Sequence, residues 1–176
     1  MFSETFIVTL LVAATYGRVL QVRNSGSVPL SVSVTGQDDV TVLTGATAFV
    51  TVPDDFSGSV TAVPVGSEGN DVPRTRAELT LGTTGDSYAV SLVEGFNLAA
   101  KIVPIQGAGC TTAVCSANLK ARCPVADQVV DALGVVVACS NSPLVFSTVC
   151  PKAVVTAGDV TNVYTCQAQS YLILLG

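Results

Sequence analysis

Residues 86–97 read DSYAVSLVEGFN, and from Tyr88 to Leu92 the stretch alternates in period two. That is the pattern of a strand with one buried face and one face carrying small or polar side chains. The same alternation recurs outward in both directions, at Val19 to Arg23, Leu30 to Thr35 (LSVSVT), Thr47 to Val52 (TAFVTV), Ser59 to Val63, Ala77 to Leu81 and Leu98 to Val103. Tyr171 to Leu175 is expected to return as a final buried strand. Turn material separates these runs: Asn24-Ser25-Gly26, Thr35-Gly36-Gln37, Pro53-Asp54-Asp55, residues 66–69 (GSEG) and Gly82 to Asp86. Short β-branched runs at close spacing predict a mostly-β fold, an antiparallel β-sandwich rather than a doubly wound parallel sheet.

All six cysteines fall within residues 110–166. There the alternation loosens, and Ala117 to Arg122 and Val125 to Ala132 are expected as short helical stretches. The organisation read from this is one domain over 18–176, with a sandwich core from 18–109 and 167–176 and a small disulfide-rich lobe over 110–166.

Met1 to Gly17 (MFSETFIVTLLVAATYG) carries an apolar run from Phe6 to Ala14, followed by small residues around Tyr16. This reads as a signal peptide, residues 1–17, and is shorter than the roughly 20 apolar residues of a spanning helix. Secretion to the extracellular space is therefore expected. An even cysteine set on that oxidising route indicates three disulfides, among fifteen possible pairings; a thiolate zinc site at Cys110 and Cys115 is the disfavoured alternative.

Charged residues make up 12% of the chain against 49% apolar ones, which argues for a packed core over disorder. The net charge of −5, with its eight basic residues scattered, argues against nucleic acid as a partner. No transmembrane segment is expected in the mature chain. Histidine is absent, which removes Ser-His-Asp and Cys-His chemistry as usually built and imidazole metal sites. Neither a metal nor a cofactor is expected. Gly107-Ala108-Gly109 reads as a turn before Cys110 rather than a phosphate cradle. Of the aromatic residues, Tyr88, Phe96 and Phe49 are expected in the core, an aromatic sugar platform being the disfavoured alternative, and Phe56, beside Asp54-Asp55, is expected to be exposed.

DSYAVSLVEGFN and CPKAVVTAGDVTNVYTC resemble segments of the thaumatin-like proteins, of the form DxYxVSLVDGFN and CPxAxxYxxD…C. Gly107-Ala108-Gly109-Cys110, Cys115 and Arg122-Cys123-Pro124 match that family's GxGC…C…xxCP series in order. The four-, seven- and fifteen-residue gaps after Cys110, Cys115 and Cys150 also resemble the family's. The resemblance implies Cys110–Cys166, Cys115–Cys150 and Cys123–Cys139, three nested bridges. It is fainter in the first half, where Ser25 stands near the family's first cysteine and the usual carboxyl-terminal partner is missing too. One cysteine-rich loop is essentially deleted at Asn70 to Arg76, and a second is cut down to Ser140 to Val149. The resemblance implies a reduced, small-type member.

The family's acidic cleft implies a ligand site of Glu78, Glu94 and Asp159. Glu94 replaces an Asp, another Asp position is Ala89, and the family's Arg falls at about Val63 and is lost, with Arg74 and Arg76 nearby in sequence but on the wrong segment. The function implied is binding of β-1,3-glucan of a wall or surface, with a defence or host-interaction role and a monomeric state. Glycoside hydrolysis requires two carboxylates, one protonated and one ionised, about 5 Å or about 6.5–9.5 Å apart. Glu78 and Glu94 would be the catalytic pair of a weak endo-β-1,3-glucanase, the alternative reading. A third is a protein- or membrane-directed effector that leaves the cleft unused. Amino-terminal sequencing of the secreted protein is expected to start within a few residues of Arg18, and an intact Met1 would overturn the leader.

Overall fold

The computed structural model describes residues 17–67 and 71–176. Of the expected leader only Gly17 lies among them, and Glu68 and Gly69 of the expected turn lie outside. The strands run Gly17–Asn24 (β1), Leu30–Val34 (β2), Val40–Val42 (β3), Thr47–Pro53 (β4), Ser57–Pro64 (β5), Arg76–Thr80 (β6) and Asp86–Ser91 (β7). They continue as Ala100–Ile105 (β8), Ala113–Cys115 (β9), Gln128–Val130 (β10), Val136–Cys139 (β11), Tyr164–Cys166 (β12) and Ser170–Leu175 (β13). One sheet has the order β4-β1-β13-β8-β9, the other β12-β7-β6-β5-β2-β3, and β10-β11 form a hairpin.

Alternation decides which side chains enter the core. Leu20 and Val22 of β1 and Tyr171, Ile173 and Leu175 of β13 point inward from the first sheet. Leu30 and Val32, Val60, Leu79, and Tyr88 and Val90 meet them from the second. The sandwich is mostly antiparallel, but β1 and β13 pair in parallel, Leu20 beside Tyr171 and Val22 beside Ile173. That ladder carries Ser25 to the last residues, where its hydroxyl donates to the Leu175 carbonyl at 3.1 Å.

A buried carboxylate joins the two sheets. Asp86, at the start of β7, has no side-chain surface exposed, and Arg18 of β1 grips both of its oxygens at 2.5 and 2.8 Å. The Tyr171 hydroxyl donates to it at 2.7 Å, and the Gly82 and Ala168 amides donate at 3.1 and 3.3 Å. Burial alone would raise its pKa. The hydrogen bonds from Arg18, Tyr171 and the two amides outweigh it and hold the carboxyl below the usual Asp value.

The disulfides are Cys110–Cys166, Cys115–Cys150 and Cys123–Cys139, with Cα separations of 5.4, 5.0 and 5.8 Å. Gly107 makes room for the first: a Cβ there would strike the Cys110 sulfur and lie 3.1 Å from that of Cys166. The lobe is knit into the sandwich, because β9 edges one sheet and β12 the other. Inside it, Leu119 and Phe146 are fully buried.

Two local expectations are corrected. Val125 to Ala132 is not a helical stretch: a single 3-10 turn at Val125–Asp127 gives way to β10, whose residues pair with β11. At Ala117 to Arg122 only a 3-10 turn forms, at Leu119–Arg122, while the lobe's α-helix is Pro143–Val149 (α1), started by a proline at its first turn. The aromatic expectation is reversed at two positions. Val52 points inward from β4, so Phe49 faces out and is 69% exposed. Phe56 is buried, because the turn from Pro53 closes with its amide on the Pro53 carbonyl and folds the ring back under Gly58.

Replacing Asp86 with Ala leaves Arg18 without its buried partner, and a loss of about 3–5 kcal/mol is expected in urea unfolding followed by tyrosine fluorescence. The folded pKa of Asp86 is lowered, so its contribution is present above the unfolded value of about 3.9 and is lost as pH falls through the folded one. The wild-type advantage over Asp86→Ala should therefore hold at neutral pH and shrink on acidification below about pH 4. An advantage that does not change with acid would show that Asp86 is not the group involved.

Candidate functional site

Because β2, β5, β6 and β7 alternate, their outward side chains form a polar carpet on the six-stranded sheet. Thr35 lies beside Ser59, Ser59 pairs with Glu78, and Glu78 pairs with Ala89, so one rung crosses four strands. The next rung sets Ser57, Thr80 and Ser87 side by side, with the Ser57 and Thr80 hydroxyls 3.2 Å apart. These residues line a hollow of about 360 Å³, walled at one end by Val163. A neighbouring hollow of about 510 Å³ shares Thr35, Ser59 and Arg76 with it and is lined further by Arg74 and Glu94.

Arg76 stands between the two carboxylates. From β6 it sends Nε and Nη2 to Oε2 of Glu94, at 2.9 and 2.5 Å. Glu94 is presented by the turn after β7, which closes through the Gly95 amide on the Leu92 carbonyl. Gly95 has φ +110°, and a Cβ there would lie 2.5 Å from both the Cys139 carbonyl and Pro73, so this turn requires glycine. Glu78 is exposed and, among the described residues, its carboxylate has no hydrogen bond or ion pair.

Asp159 lies elsewhere. It sits on the loop that leaves Val154, bridged to Ser91, and returns as β12. It lines neither hollow, and its Oδ1 accepts the Thr161 amide at 2.8 Å. The structure thus brings Glu78 and Glu94 into adjoining hollows and leaves Asp159 on the loop whose Val163 edges the first. Arg76 is the residue that sequence reasoning set aside. Its signal was the alternation of Arg76-Ala77-Glu78, which puts Arg76 and Glu78 on one face of β6.

The Thaumatin family profile matches residues 61–171. The chain belongs to the thaumatin family. A thaumatin-like protein of Arabidopsis thaliana is 37% identical over 134 residues, covering 60% of this chain and 55% of that protein. A Prunus avium protein named glucan endo-1,3-beta-glucosidase is 44% identical over 79 residues, covering 43% of this chain and 32% of its own. The chain thus spans about half or less of these relatives' length. Among solved structures, the protein elicitor MoHrip2 of Magnaporthe oryzae superposes with a TM-score of 0.51 at 13% identity, over 90% of this chain and 98% of that one, a likeness of fold.

Within this thaumatin-family chain, Ala89 is the ladder partner of Glu78. An Asp at 89 would set two carboxylates on directly paired positions, roughly 4.5–5.5 Å apart at Cβ. Ala89 removes that repulsion and leaves Glu78 the single carboxylate lining a hydroxyl-rich hollow among the described residues. Among the described residues no group of three or more His, Cys, Asp or Glu is arranged to hold a metal ion, and no helix is long and apolar enough to cross a membrane.

The Arg76–Glu94 pair is half open to solvent, with side chains 38% and 57% exposed. A double-mutant cycle of Arg76→Ala and Glu94→Ala is expected to give a coupling of about 0.2–1 kcal/mol that weakens with added salt. A coupling well above that range would mean that the pair holds the turn itself.

Proposed function

We propose that this chain is a secreted thaumatin-like protein that binds a wall or surface β-glucan on the outer face of the six-stranded sheet, in a defence or host-interaction role. The observation that supports it best is the partnerless carboxylate of Glu78 among Thr35, Ser57, Ser59 and Thr80. A neutral glucan presents hydroxyls that donate and accept. Glu78 takes up donors with charge assistance, and the serine and threonine hydroxyls serve either way. Asp159 is assigned as the third carboxylate, reaching the sugar from the loop that carries Val163. Three disulfides suit an oxidising, extracellular setting. The Prunus avium relative's name supports glucan as the ligand class.

Hydrolysis is the weaker reading. It asks for an acid and a free partner carboxylate across the scissile bond. Here one oxygen of Glu94 already receives both hydrogen bonds of Arg76, and an oxygen of Asp159 holds the Thr161 amide.

Pull-down on insoluble β-1,3-glucan, with a reducing-sugar assay on the same sample, separates the two. Binding predicts that Glu78→Gln weakens retention by about 1–2 kcal/mol and that neither form releases sugar. A glucanase predicts the opposite: near-unchanged retention and a turnover falling by about 10²–10⁴. Wild-type protein that neither binds nor cleaves the glucan would remove the glycan reading.

A further inference from the structure

A third hollow lies between the β10–β11 hairpin and the loops at the end of the six-stranded sheet, and at about 750 Å³ it is larger than either hollow of the groove. Its walls are largely aliphatic, with Val63, Val72, Leu98, Val135 and Val137 among them. Lys120 lines it from the 3-10 turn at Leu119–Arg122, held in place by the fully buried Leu119 beside it. Among the described residues the Lys120 ammonium makes no ion pair and no hydrogen bond. Burial alone lowers its pKa, the mark of a cation partly stripped of water without a compensating anion.

The other charged and polar groups on the walls are Asp71, Asp131, Asn97 and Ser67. Asp131 is committed to its own hairpin turn, where its Oδ1 accepts the Leu133 and Val135 amides, each at 2.9 Å. Asp71 is exposed and does not pair with Lys120. Asn97 is spent as well: its amide donates to the Ala62 carbonyl at 2.8 Å and its oxygen accepts the Thr75 amide at 3.0 Å. Among the described residues, an unpaired cation in an aliphatic hollow is what remains.

We infer that this hollow binds a small amphiphile with an apolar body and one carboxylate, such as a medium-chain fatty acid, with the headgroup on Lys120. Its volume lies within the range of about 300–1,000 Å³ typical of small-molecule sites, which are mostly apolar with a few placed polar groups. The chain of the ligand covers Val63, Val72, Leu98 and Val137. The carboxylate supplies the charge-assisted partner that the ammonium lacks. A neutral sugar would do neither. The site stands independently of the glucan reading.

Calorimetric titration of the full secreted chain with decanoate, and in parallel with decan-1-ol, tests it. Saturable one-to-one binding of decanoate to the wild type is expected. Lys120→Met, which keeps the apolar stem, should weaken decanoate at least about tenfold while leaving decan-1-ol within about twofold. Val135→Trp, at a wall position that is 56% exposed, should fill the hollow and weaken both ligands. Circular dichroism confirms that each variant is folded. The assignment is overturned by any of three results: no saturable decanoate binding, Lys120→Met binding decanoate as tightly as wild type, or Val135→Trp leaving decanoate unaffected.

Discussion

Asp86 carries a full negative charge at a place where its side chain has no contact with water, and its partners come from both sheets. Arg18 lies on β1 and Tyr171 on β13, the parallel pair at the centre of the five-stranded sheet, while Asp86 opens β7 of the six-stranded one. An ionised carboxylate without these donors would cost several kcal/mol to bury, so the sheets can close at this end only with all of them in register. That requirement reaches the groove. β7 pairs with β6, and the rung of Ala89, one place beyond Tyr88, with Glu78 is set by where Asp86 sits. Tyr88 extends the same fixture, donating its hydroxyl to the Thr111 carbonyl just before β9. The ring of Tyr171 packs against that of Tyr88 with centroids 5.3 Å apart.

The cysteine-rich lobe is held by two means at once. Each disulfide removes freedom from the unfolded chain, and the innermost, closing 16 residues, is worth about 3 kcal/mol in the chain-entropy account. The lobe also contributes to the core, through Leu119, Phe146 and Ala138, and it caps an edge of each sheet with β9 and β12. Covering edges matters here, because an open strand edge in a two-sheet fold invites pairing with another chain. The bridge between Phe96 and Cys139 ties the lobe to the turn that presents Glu94, so the inner disulfide and the groove share one support.

The polarity of the groove follows from the period of the strands rather than from any separate design. Once Val32, Val60, Leu79 and Val90 are committed to the core, their neighbours Ser33, Ser59, Glu78 and Ala89 have nowhere to point but outward. What distinguishes this face is its set of hydroxyls, from Ser33, Thr35, Ser57, Ser59, Thr80 and Ser87, with charge on Glu78, Arg76 and Glu94. The opposite sheet uses the same period to other effect, leaving Phe49 exposed beside Gln21 on an edge strand.

The alternation in LSVSVT, TAFVTV and DSYAVS was enough to establish strands, a two-sheet core and an outward face of small polar residues, because side-chain direction in a strand depends only on residue parity. The cysteine spacing and the thaumatin-like segments supplied the three bridges, which the structure carries. Parity does not say which strands become neighbours. The parallel pairing of β1 with β13, the salt link of Arg18 to Asp86 across 68 residues, and the approach of Arg76 to Glu94 were settled by tertiary packing alone. Short stretches such as 125–132 were ambiguous for the same reason, since a few apolar residues fit a helical turn or a strand until a partner like β11 decides. The hollow around Lys120 needed the hairpin, the 3-10 turn, residues 63–64, Ser67, residues 71–72 and residues 97–98 to meet in space. No local pattern encodes that meeting, because it is made of surfaces brought together by long-range burial.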